Sequence, residues 1–116
     1  MQPQMEESKK LSVKRKYDEK EDLLSKANDY MSHTHLVNAR IYYKKVLEID
    51  KNNISAKSGL KSIGEKFNEL GDVSMMSEQW KSAIDFYEKS YVILKDGSLR
   101  RKIDFCKMKA GQKHPL

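Results

Sequence analysis

From Leu23 to Ala110 the apolar residues recur three and four positions apart, and no window shows the strict alternation of a half-buried strand. That pattern restricts the chain to helices packed on helices, and five are expected. The first, about residues 18–31, places Leu23, Leu24, Ala27, Tyr30 and Met31 on one face and stops at the polar run His33-Thr34-His35. The second, about 36–49, aligns Leu36, Ala39, Tyr43, Val46 and Leu47 and ends at Asp50-Lys51-Asn52-Asn53, a stretch of turn and cap formers. The third, about 54–76, carries Leu60, Ile63, Phe67 and Leu70. Ser77 is placed to cap a fourth, about 78–94, whose stripe is Trp80, Ala83, Ile84, Tyr87, Tyr91 and Leu94, and Gly97 to end it in a left-handed conformation. A fifth, about 98–110, sets Leu99, Ile103, Cys106 and Ala110 against Arg100, Arg101, Lys102, Lys107 and Lys109, the pattern of a terminal capping helix.

The 116 residues suffice for one domain, and an apolar fraction of 38% leaves part of the chain outside any core. Residues 1–17 are polar with no sustained apolar period and read as a disordered basic arm, and residues 111–116 read as a flexible tail. The helical domain is then 18–110. No apolar run approaches the roughly 20 residues that cross a bilayer, and no apolar block of a signal peptide opens the chain. A cytoplasmic protein is expected, or an envelope-associated one if an anchor precedes this sequence. The single Cys106 forms no internal disulfide. The net charge of +6 sits at the ends: residues 21–94 hold ten Lys and Arg against eleven acids, whereas 95–116 hold seven against two.

Two segments are alike. Asn38–Asn53 and Lys81–Gly97 align with Ala39 over Ala83 and with Tyr42 and Tyr43 over Phe86 and Tyr87. A small residue followed by aromatics at that spacing is the second half of a helix-turn-helix repeat, in which small residues let helices approach and aromatics fill the gaps beside them. On these residues the chain resembles the tetratricopeptide (TPR) family, an all-α array of helical hairpins wound into a right-handed superhelix. In residues 20–53 the matching positions are Leu23, Ala27, Tyr30, Leu36, Ala39, Tyr43 and Val46. In residues 64–97 they are Phe67, Leu70, Gly71, Trp80, Ala83, Tyr87 and Ser90. Lys51 and Lys95 stand where the family has Pro, Lys26 replaces a Leu, Ser74 replaces an aromatic, and Ile54–Ile63 is a ten-residue insertion between the units.

The resemblance implies a non-catalytic module that grips a peptide or helix of another protein on a concave face. By register that face presents Leu24, Asn28 and Met31 from the first unit and Glu65, Asn68, Glu69, Asp72, Met75 and Met76 from the second. Asn28 matches a position at which chaperone-binding members hold a terminal carboxylate, but Leu24 stands where their Lys belongs and Glu69 where their second Asn belongs. A homodimer through the long third helix is an additional expectation.

The residues themselves offer no catalytic constellation, phosphate loop, cofactor motif or metal set. His33 and His35 lie in a turn without a third ligand, so an enzyme, a cofactor and a metal are all unexpected. Two alternatives remain: binding of nucleic acid or an anionic surface by the basic arm together with Arg100, Arg101 and Lys102, and, from the resemblance, a regulatory TPR fragment of a larger bacterial envelope or signalling protein. Nucleic acid is the less favoured partner, because Glu6, Glu7, Asp18 and Glu19 dilute the arm.

Overall fold

The computed structural model describes the backbone of residues 3–112 and the side chains of residues 11–112. Among these residues there are five α-helices and no strand: α1 Pro3–Ser32, α2 Leu36–Ile49, α3 Ile54–Met76, α4 Trp80–Leu94 and α5 Gly97–Gly111. The bounds of α2 and α3 are those the apolar spacing indicates. Residues 3–17 depart from expectation: they are the first half of α1 and not a disordered arm. Of the expected flexible tail, Gly111 ends α5, and residues 113–116 lie outside the described residues.

The chain divides into two compact units, Met1–Gly59 and Leu60–Leu116, with the boundary inside α3. In the first, α1 and α2 form a hairpin whose core is Ala27, Leu36, Ala39, Tyr43, Val46 and Ala56. The turn closes by two backbone bonds, Thr34 N to Met31 O at 3.0 Å and His35 N to Tyr30 O at 2.8 Å, with Thr34 in the left-handed region at φ 57°. These are the paired bonds of a Schellman closure, and the contact that usually joins its outer residues is made here by the His35 and Tyr30 rings, 6.1 Å apart.

The second unit repeats the closure residue for residue, 44 positions on. Glu78 N bonds Met75 O at 3.0 Å, Gln79 N bonds Ser74 O at 2.9 Å, and Glu78 has φ 58°. Ser77 therefore lies inside the turn and does not cap α4, whose first flanking residue, Gln79, makes no side-chain cap. The core here is Ala83, Tyr87, Leu99, Ile103 and Cys106, with Met75, Trp80, Ile84, Tyr91 and Leu94 packed against it. The left-handed residue after α4 is Lys95 and not Gly97. Asp96 caps α5 by accepting from Ser98 N at 2.9 Å, and that bond above all holds its carboxyl below the usual range. Asn53 serves α3 in the same way, accepting from Ala56 N at 2.9 Å.

Helices α3 and α5 also run in one register, from Asn53 and Asp96 onward. Buried Ala56 and Ile63 correspond to buried Leu99 and Cys106. The ten residues Ile54–Ile63 are continuous helix at the start of α3, and the stretch that matches them in register is Gly97–Cys106 of α5. The same extension begins α1, where the counterparts of Ala56 and Ile63 are Ser12 and Glu19, both exposed. This explains the missed half of α1. Lys, Glu and Arg sustain helix by local propensity, but a helix with no buried face leaves no apolar period to read.

Candidate functional site

In the second unit the site forms around Tyr87, which is fully buried. Its hydroxyl donates to Asp72 Oδ1 at 2.5 Å, and Met75 Sδ lies 3.8 Å away. From α5, Lys102 Nζ donates to the same Asp72 oxygen at 2.9 Å and to Asn68 Oδ1 at 3.0 Å, and sits 5.3 Å above the Tyr87 ring. The first unit builds the corresponding lock without a charge: Tyr43 OH donates to Asn28 Oδ1 at 2.5 Å. In the shared register of α3 and α5 the counterpart of Lys102 is Gly59, and a Cβ there would fall on the Tyr43 ring. A neutral Asn28 needs no cation. The carboxylate of Asp72 receives one.

Burial raises the Tyr87 hydroxyl well above the ordinary phenol range, and the hydrogen bond to Asp72 adds to this. For Asp72, burial pulls upward but is outweighed by the hydrogen bonds from Tyr87 and Lys102 and by the lysine charge, so its carboxyl titrates below its usual value. The stabilisation from this lowered carboxyl is complete above the unfolded value near ~4 and is lost as pH falls through the lower folded value. Acid unfolding of the second unit is therefore expected to weaken in Asp72→Asn, which reproduces the first unit's neutral lock. Circular dichroism melts between neutral and strongly acidic pH check this; an unchanged acid limb contradicts it.

The residues expected on a docking face divide by what they touch. Asn28, Asn68 and Asp72 are engaged in these internal bonds, Met75 packs on the core cluster, and Leu24 and Met31 are half-buried. Glu65, Glu69 and Met76 are exposed on α3, Glu69 facing Lys66 at 3.7 Å. Of the basic cluster, Lys102 is committed to Asp72, Arg100 lies 5.3 Å above the Tyr91 ring, and Arg101 is exposed. No family model, curated protein or solved structure matches the chain. Its chemistry is therefore read from its own residues.

Two further large apolar residues of α3 are exposed beside Glu65, Glu69 and Met76. Leu70, assigned to the seam, is 39% exposed and Val73 is 57% exposed; with Met76, 75% exposed, they form an apolar line along α3. The excess apolar residue at Val73, between Asp72 and Ser74, was the available signal. Among the described residues no three His, Cys, Asp or Glu side chains gather as for a metal, and Cys106 is buried with its thiol pushed up by that burial. No helix among them is long and apolar enough to cross a membrane.

Proposed function

We propose that the chain is a TPR-like, non-catalytic interaction module, and that in its second unit the exposed side of α3 is the docking face for a peptide or helix of a partner protein. The observation that carries this is the line Leu70, Val73 and Met76, three large apolar side chains at successive turns of a helix whose other exposed residues in this unit are polar. Glu65 flanks it together with the Lys66–Glu69 pair, so the matching segment is apolar with polar neighbours of both signs. The repeated hairpin closure and the tyrosine locks support a TPR-like array, because each lock ties the two helices of a hairpin and leaves the outer side of the first helix free. The internal use of Asn68 and Asp72 moves the docking residues away from the carboxylate-gripping positions of the chaperone-binding members.

The test is affinity capture with the intact protein and with Val73→Glu/Met76→Glu, both changes being at exposed positions that leave the core untouched. Partners that need this face are expected to lose roughly 30-fold or more in affinity, as when two central anchors are removed from an interface. Equal retention of every partner overturns the reading.

A further inference from the structure

Helix α5 differs from the register-matched stretch of α3 where the two face solvent. Exposed Ser58, Ser62 and Glu65 of α3 correspond to Arg101, Phe105 and Met108. Small or acidic positions on α3 are matched by cationic, aromatic and thioether ones on α5. Arg101, Phe105 and Met108 stand at i, i+4 and i+7, on the side of α5 opposite its buried Leu99, Ile103 and Cys106. Phe105 and Met108 are 42% and 52% exposed, and Phe105 meets the Trp80 ring edge-on at 6.1 Å, which fixes its orientation. Lys109 Nζ lies 5.7 Å above the Phe105 ring. Among the described residues no carboxylate is ion-paired with Arg100, Arg101, Lys107 or Lys109, and Asp104 is the single acid on the helix.

We infer that this face of α5 is a second docking surface, specific for an acidic amphipathic segment of a partner protein. The inference rests on the interaction-module reading but uses a different face. An apolar centre with Arg101 and Lys109 beside it, and Asp104 as the one acid on its far edge, matches a helix that sets two or three large apolar side chains among Asp and Glu. The methionine adapts to the shape of the incoming side chain, and the aromatic pair supplies a rigid anchor. A polyphosphate chain or a duplex, whose bases are stacked inside, would use the cations and leave Phe105 and Met108 without a partner. A single strand, which can stack a base on Phe105, is told apart by the experiment. A second copy docked symmetrically would bring like charges together.

The experiment uses the intact chain and fluorescein-labelled peptides of roughly 16 residues: an acidic one with leucines at helical spacing, and a scramble of the same composition without that spacing. A single-stranded oligonucleotide and vesicles containing phosphatidylserine complete the set. The amphipathic peptide is expected to bind at least about tenfold tighter than the scramble, and Phe105→Ala/Met108→Ala to remove at least about that preference. Arg101→Glu/Lys109→Glu, which spares the contact with Trp80, is expected to weaken the same peptide. Equal binding of peptide and scramble overturns the inference, as does tighter binding of oligonucleotide or vesicles, or sedimentation showing a dimer that the Phe105 and Met108 changes dissolve. Peptide binding that survives Val73→Glu/Met76→Glu keeps this face separate from α3, so either proposal can fail without the other.

Discussion

Tyr87→Ala is expected to cost the second unit about 3–5 kcal/mol, the range for deleting a large buried aromatic. Tyr87 is the largest of the fully buried side chains. Its removal opens a cavity among Ala83, Leu99, Ile103 and Cys106 and leaves Asp72 and Lys102 without the phenol that joins them to the core. Tyr87→Phe separates the two contributions, since it keeps the packing and removes only the hydroxyl donor. Its expected cost is about 1 kcal/mol, with the carboxylate still held by Lys102. The one tryptophan, Trp80, packs on this core and reports the unit through its fluorescence in urea titrations. Equal losses in the two variants would mean that hydrogen bonding, and not volume, governs the site.

Gly71→Val is the second large effect, expected at about 3 kcal/mol. A Cβ on Gly71 would lie 2.5 Å from Tyr87 Cε1 and 2.6 Å from Cδ1, so the ring must move, and it is enclosed on its other sides. The first unit shows how a repeat avoids this. Its counterpart of Gly71 is Ala27, and there the clearance beside the tyrosine comes from Gly59, on the following helix. The two tyrosines thus have their glycine on opposite flanks. Gly97→Ala is the control: nothing lies within 4 Å of the added carbon at the first residue of α5. It is expected to stabilise by up to about 1 kcal/mol through the unfolded chain. Thermal melts rank the three proteins, and a Gly71→Val melt matching the unaltered protein would contradict the close packing.

The helices were legible in the sequence where one face is buried. Leu36, Ala39, Tyr43 and Val46 mark α2, and Leu99, Ile103 and Cys106 mark α5, because burial imposes the period. Where no face is buried the signal vanished, as in the first half of α1. Turn chemistry was misread for a related reason. The left-handed positions are held by Thr34, Glu78 and Lys95, none of them the glycine that ordinarily marks such a site, so Ser77 and Gly97 looked like the better candidates. For the expected docking face, register alone placed Asn28, Asn68 and Asp72 on the surface. Their hydrogen-bond partners, Tyr43, Lys102 and Tyr87, come from other helices, and spacing along one helix carries no record of them. Val73 was overlooked because an isolated valine among polar residues fits neither a core stripe nor a binding motif.

The tyrosine locks also bear on how the chain reaches this structure. Tyr43 and Asn28 are separated by 15 positions, as are Tyr87 and Asp72. Short closures cost little chain entropy, and a fold made of such neighbours belongs to the fast range, roughly microseconds to milliseconds. Each hairpin holds its own closing bond and its own tyrosine, and the helix that follows completes the core around it. A ribosome extending this chain would therefore release the first hairpin ready to fold once the start of α3 has emerged, and the second once α5 has followed.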